Sequence, residues 1–246
     1  MTDTTVENLL DQFAQGDRRA LSQILSLVQR GEAPPRPQGS GKGAVAKRSL
    51  AVGITGSGGA GKSTLIGALV RHLRSAGKSV AVLANDPQSP LTGGALLGDR
   101  IRMGDQGDDA GVFIRSISTR GAPGGIAATT GEACRWLAAF GFDVVLVETV
   151  GVGQDQVAIR AVVDRLVLLV TPGSGDEVQW EKAGLIEVAD VIAINKSDLP
   201  GADRLRADLT AALSLSPAGN QVPIVHVVAT TGRGVAELWD VVTKDA

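Results

Sequence analysis

The sequence predicts an α/β fold, a mostly parallel sheet with helices on both faces, joined to an N-terminal helical extension. Three observations predict it. Apolar runs recur at 50–54, 79–84, 112–117, 143–148, 166–170, 190–194 and 223–228. Runs that are apolar throughout, instead of alternating, suit strands buried on both faces, as in parallel sheets. Segments with helical spacing separate these runs, which is the rhythm of strand–helix–strand units. Residues 1–31 differ from the rest, carrying two apolar stripes at helical spacing and no strand-like run.

In the extension, Val6, Leu9, Leu10 and Phe13 form the first stripe, and Leu21, Ile24, Leu25 and Val28 the second. Asp17 is a candidate cap and Gly31 a natural stop. The two amphipathic helices should pack on another part of the protein. Residues 32–47, rich in Pro, Gly and Lys, read as a linker. The main domain then spans 48–246.

The first strand runs into Gly56-Ser57-Gly58-Gly59-Ala60-Gly61-Lys62-Ser63-Thr64. That is a complete Gly-x-x-x-x-Gly-Lys-Ser phosphate loop between a strand and a helix. Backbone N–H groups of Gly58, Gly59, Ala60 and Gly61 can curl around a phosphate, helped by the helix dipole. Lys62 reaches the β- and γ-phosphates, Ser63 can hold Mg²⁺, and Thr64 follows in the first turn. A Gly-rich turn with a solvated lysine is the bland alternative, and the flanking strand and helix weigh against it. The chain should bind a nucleoside triphosphate within a P-loop NTPase fold.

The stretch from Ala84 to Val112 lacks periodicity, and a connection of this length inside a domain is usually functional. Within it, Asp86 and Asp99 are candidates for the Mg²⁺ shell or for polarising the attacking water. Asx-turn and cap chemistry is the competing reading. The fourth run ends in Glu148-Thr149-Val150-Gly151. An acid at a strand end, three residues before a glycine, suits a second Mg²⁺ contact and a γ-phosphate-sensing N–H at Gly151. An exposed strand terminus is the alternative for Glu148, because burial without a partner would be costly.

The sixth run ends in Asn195-Lys196-Ser197-Asp198. The Asp198 carboxylate can accept hydrogen bonds from guanine N1–H and its 2-amino group. Adenine offers no donor there, and an unpaired buried polar group can discriminate by a factor on the order of 10⁴. A helix start capped by Asp198 is the plainer reading. One closing helix is expected at Val235–Val242.

Composition sets outer bounds. At 246 residues the chain can bury one sizeable core. Lys+Arg 24 against Asp+Glu 26 gives no basic face for nucleic acid and no polybasic membrane signal. No apolar stretch reaches membrane-spanning length, and the polar N-terminus is no signal peptide. The single cysteine, Cys134, sits in a helical context and reads as a packing thiol. The expected compartment is the cytoplasm.

Longer stretches carry a resemblance. Val82–Gly94 (including Asn85-Asp86-Pro87), Leu97–Met103, Val112–Ser116, Arg120-Gly121, Gly124-Gly125, Phe142–Gln154 and Pro172–Glu177 all resemble the MeaB/ArgK/MMAA family of SIMIBI-class GTPases. The resemblance covers about residues 45–245. It implies a GTPase that binds GTP and GDP with Mg²⁺ and serves an adenosylcobalamin-dependent acyl-CoA mutase. There it gates cofactor loading, blocks damaged cofactor and protects the mutase, with an adenosyltransferase as a further partner. Lys62 and Ser63 match the family's phosphate and Mg²⁺ residues. Asp86, Asp99 and Glu148 match the acids around Mg²⁺ and water, and Asn195, Lys196 and Asp198 the guanine site. Thr171–Lys182 matches a switch loop that relays nucleotide state to the mutase, and Gln179 and Lys182 match positions implicated in GTPase activation.

Three departures stand out. Gln88 replaces a usual serine, and Ala229-Thr230-Thr231-Gly232 stands where the family's loop over the base usually has Ser-Ala; backbone N–H groups do that recognition, so the resemblance implies that Ala229 and Thr230 cover the base. The sequence stops at Ala246 without the family's C-terminal dimerisation arm, so a homodimer through that arm is in question. The mutase could act on methylmalonyl-CoA, isobutyryl-CoA or 2-hydroxyisobutyryl-CoA. Two other classes share parts of the pattern: a nickel metallochaperone GTPase of the HypB/UreG type and a small-molecule kinase. The first needs thiol or imidazole ligands, of which the chain offers Cys134, His72 and His226; the second has no need of Asn195-Lys196-Ser197-Asp198.

Overall fold

The computed structural model describes residues 3–36, 49–85, 109–117, 125–149, 158–173, 184–214 and 222–244. Among these, seven strands form one sheet: β1 (Leu50–Gly56), β2 (Val80–Asn85), β3 (Val112–Ile117), β4 (Val144–Glu148), β5 (Arg165–Val170), β6 (Val191–Ile194) and β7 (Ile224–His226). Every pairing is parallel and the order is β3-β2-β4-β1-β5-β6-β7. All seven expected runs are therefore strands of a parallel sheet. The last is shorter than its run because the chain turns after His226, and Val228 pairs back with Arg233.

The order places β1 at the centre with β4 and β5 beside it. The strand sequence runs from β1 outward to β2 and β3, then returns to β4 next to β1. Ligands in open parallel sheets bind at the carboxyl ends of strands beside such a reversal. Here the glycine loop leaves the carboxyl end of β1, at that point.

Helices cover both faces because each strand presents apolar side chains to both. Helices α3 (Lys62–Ser75) and α7 (Val235–Thr243) share one core with Val52, Ile54, Val82, Leu146 and Leu169. On the other face lie α1 (Asp3–Ala14), α2 (Arg18–Arg30) and α4 (Gly125–Phe140), packed with Leu83, Val145 and Val147. The same face continues under α5 (Leu185–Val188) and α6 (Ala202–Ser214), over Leu168, Val170 and Ile192. Arg165 opens β5, and Ile159–Ala161 forms a 3-10 turn before it. No helix of the described residues is long and apolar enough to cross a membrane.

The N-terminal helices pack on α4 and the sheet. Asp17 caps α2 by accepting from the N–H groups of Arg19 and Ala20, and Gly31 ends it at φ 73°. All four phenylalanines of the chain meet on this side. Phe13 meets Trp136 edge-on at 5.1 Å, and Phe140 stacks on Phe142 at 5.6 Å. Two arginines fasten α2 to the edge strand. Arg18 donates to the carbonyls of Ala110 and Val112, and Arg115 of β3 donates back to Ser26 and Gln29.

Aspartates at the amino ends of strands are structural. Asp143, Asp164 and Asp190 accept from the N–H groups of Ser79, Ala51 and Leu166, each tying one strand start to a neighbour. Asp109 similarly accepts from Gly111 N–H and two Arg74 nitrogens. The Arg74 guanidinium holds the Asp109 carboxyl below the usual carboxylate range.

Candidate nucleotide-binding site

Gly56 closes β1 against β5 so tightly that a Cβ there would run into the Leu169 carbonyl oxygen. Gly59 and Gly61 then adopt φ of 77° and 92°, the left-handed region where side chains are strained. Gly61 sits at the cap position of α3 and has no side chain to satisfy the first N–H groups. The amino end of a 14-residue helix is thus open to an anion.

Lys62 is only 8% exposed. Its Nζ donates to the carbonyls of Gly56 at 2.9 Å and Ser57 at 2.8 Å, folding the ammonium over the loop. Burial pulls its pKa below 10.5, while the Glu148 charge pulls the other way. An ammonium so poorly hydrated gains from a phosphate placed beside it.

Register supplies the acid. β1 pairs with β4 so that Ile54 lies opposite Glu148, beside the loop. Glu148 is 5% exposed, so the exposed-terminus reading fails. Ser63 Oγ donates to Glu148 Oε1 at 2.7 Å. A hydroxyl and a buried carboxylate in contact are hard oxygen donors, and this pair fits Mg²⁺.

The base side is built from two loops, 195–199 and 228–234. Asn195, at the end of β6 and 2% exposed, ties them together. Its Nδ2 donates to Ala60 O at 2.8 Å and its Oδ1 accepts from Ala229 N–H at 3.1 Å. Lys196, at φ 54°, donates from Nζ to Gly59 O at 3.0 Å. Asn195 and Lys196 therefore hold the phosphate loop to the base loop. Between them opens a cavity of about 220 Å³ lined by Gly61, Thr64, Asp198, Leu199, Val228 and Thr230. Asp198 is exposed there and α6 starts only at Ala202, so Asp198 does not cap it. Leu199, 46% exposed, is an apolar wall suited to the face of a base.

The structure thus brings together Gly58, Gly59, Ala60, Gly61, Lys62, Ser63 and Glu148 at one end of the site. It gathers Thr64, Asn195, Lys196, Asp198, Ala229 and Thr230 at the other. Asp86, Asp99, Gly151, Gln179 and Lys182 lie outside the described residues. Leu199 and Val228 are wall residues the motif reading passed over, although Leu199 directly follows Asp198.

A phosphate loop and a base pocket held together by Asn195 and Lys196, on a parallel sheet of this order, belong to the P-loop GTPases. Within that class, residues 42–246 match the family model of the methylmalonyl-CoA mutase-associated GTPase MeaB. The chain belongs to the MeaB family and is a GTPase that binds GTP and GDP. A Pyrococcus horikoshii relative, named as a GTPase, is 46% identical over 240 residues, 96% of this chain and 76% of its own. The mouse mitochondrial methylmalonic aciduria type A homolog is 42% identical over 195 residues, 77% of this chain and 47% of its own. The crystal structure of an LAO/AO transport system kinase superposes with a TM-score of 0.72 at 28% identity, covering 99% of this chain and 76% of that one. HypB of Archaeoglobus fulgidus, at TM-score 0.56 and 22% identity, covers 95% of each chain and shares the fold.

Proposed function

We propose that this GTPase is a cytoplasmic chaperone that gates adenosylcobalamin loading and protects a cobalamin-dependent acyl-CoA mutase. The observation that carries the reading is the match of 42–246 to a mutase-associated family. The name of the mouse relative, a methylmalonic aciduria type A homolog, supports it. In this reading residues 48–246 carry the GTPase, and the helices within 1–31 are a docked extension of it.

Each residue has a role in the reaction. Water attacks the γ-phosphorus, the bond to the β–γ bridging oxygen breaks, and GDP and inorganic phosphate leave. Lys62 and the amino end of α3 neutralise charge on the transferring group. Ser63 and Glu148 would hold Mg²⁺, which supplies further charge neutralisation when bound. Asp86 or Asp99 orients the water, and the Gly151 N–H senses the γ-phosphate. Asp198 reads guanine through N1–H and the 2-amino group, with Ala229 and Thr230 over the base. Gln179 and Lys182 relay the state of the site to the mutase, and an adenosyltransferase is a second candidate partner.

A nickel-handling reading is less well supported. The chain's single thiol, Cys134, is buried in α4 and its pKa is pushed up to about 12, which suits packing better than metal ligation.

Steady-state GTP hydrolysis with and without methylmalonyl-CoA, isobutyryl-CoA and 2-hydroxyisobutyryl-CoA mutases tests the partner. One of them should stimulate turnover, and Lys182→Ala should remove most of that stimulation. Stimulation by none would refute the mutase assignment; equal stimulation of parent and variant would refute the relay.

A further inference from the structure

We infer that Arg233 is a positioning residue that latches the guanine pocket from outside and slows nucleotide release. The inference rests on the guanine reading of Asp198 and extends it to a residue beyond the motif.

Beside the backbone bond from Ser197 N–H to the Val227 carbonyl, the two loops that form the pocket meet along two side-chain seams. The inner seam is Asn195, buried, with Ala60 O on one side and Ala229 N–H on the other. The outer seam is Arg233, whose Nη2 donates to Ser197 Oγ at 3.3 Å, with Arg233 exposed and Ser197 half-buried. Ser197 lies between Lys196 and Asp198, so the bond grips the loop that reads the base. Its anchor is stiff. Val228 N–H donates to Arg233 O, the N–H groups of Thr231 and Gly232 both donate to Val228 O, and Arg233 N–H donates to Thr231 Oγ1. Gly234, at φ 77°, seats the turn against β7 so closely that a Cβ would strike the His226 carbonyl oxygen.

A rigid turn carrying a long cationic arm to a neighbouring loop resists the separation of those loops. A nucleotide leaving the cavity has to pass between them. The guanidinium is bonded to a neutral hydroxyl, which leaves the Asp198 carboxylate for the base. Because the latch acts on the base end, it should not distinguish GDP from GTP.

The test is release of fluorescently labelled GDP and of a labelled non-hydrolysable GTP analogue, by stopped flow, from full-length protein. Arg233→Ala should speed both by the same factor, roughly two- to tenfold, as one hydrogen bond allows. Ser197→Ala should give a similar factor, and the double variant no more than either single one. Arg233→Lys should restore part of the slow release, with unchanged melting temperature in every variant. Additive effects, or acceleration of GDP release alone, would overturn the latch. A parent that binds ADP as tightly as GDP would instead overturn the guanine reading beneath it.

Discussion

Alanine substitutions at Gly58, Gly59 and Gly61 should be graded in cost, because the three positions differ in backbone and in surroundings. Gly58 has no positive φ and nothing within 4 Å of an added Cβ. Alanine there should leave nucleotide-free stability unchanged or raise it by about 0.4–1 kcal/mol through the unfolded chain. Gly59 has equal space but φ of 77°, so alanine meets backbone strain alone. That strain is about 1–2 kcal/mol before the unfolded-chain gain is subtracted. At Gly61, φ is 92° and the new Cβ would stand 2.5 Å from Asn195 Nδ2. The amide must then leave Ala60 O, adding about 1–3 kcal/mol for a disrupted buried hydrogen bond. The net loss, with the unfolded-chain gain subtracted, is about 1–5 kcal/mol, and each kcal/mol is about 2–4 °C in a chain of this size. Thermal unfolding without nucleotide measures the series. A second check is the pair Gly61→Ala with Asn195→Ala, in which the collision disappears and the cost of alanine falls to that seen at Gly59. Equal losses at Gly59 and Gly61, or an undiminished cost in the pair, would refute the reasoning.

Asp198→Asn should move preference from GTP toward XTP, since the amide would face a carbonyl at C2; competition binding measures it, and full retention of GTP affinity would contradict the assignment. Lys62→Ala should lower kcat/KM by roughly 10²–10³, the usual loss for one removed donor to a developing anion. Glu148→Ala should raise the Mg²⁺ concentration needed for half-maximal turnover more than it weakens GDP binding, and an unchanged Mg²⁺ titration would speak against it. The Cys134 thiol, raised by burial from 9.0 to about 12, should not react with a thiol reagent at pH 8 until the protein unfolds. Above pH 9 the unfolded chain loses that proton first, so the contribution of Cys134 to stability should fall as pH rises from 9 toward 12. Comparing Cys134→Ala across that range by urea denaturation isolates it.

Strand positions could be read from the sequence because a strand buried on both faces leaves a continuous apolar run. Caps were readable for a similar local reason: Asp17 and Gly31 act on groups two to four residues away. What the runs could not carry was order. That β4 returns beside β1 is a long-range fact, and the contact of Ser63 with Glu148 follows from it. Acids illustrate the same limit. Asp143, Asp164 and Asp190 precede strands and bind backbone N–H groups, while Glu148 ends a strand and meets the phosphate loop. The amphipathic stripe of α2 required a partner surface but could not name α4 and β3. Arg18 and Arg115, which lie outside the stripe, hold it there.

A parallel sheet has two open margins, and each is an invitation to polymerise. Here the β7 margin spans only three residues, too few to template another chain. The β3 margin is twice as long, but Arg18 occupies the carbonyls of Ala110 and Val112 where that strand begins. Removing the two N-terminal helices would uncover that margin together with the apolar flank around Trp136 and Leu137. Such a truncated chain should associate edge to edge, visible as growing particles in light scattering. Growth of such particles would assign these helices a second task, guarding the edge of the sheet they pack on; a truncated chain that stays monomeric would refute it.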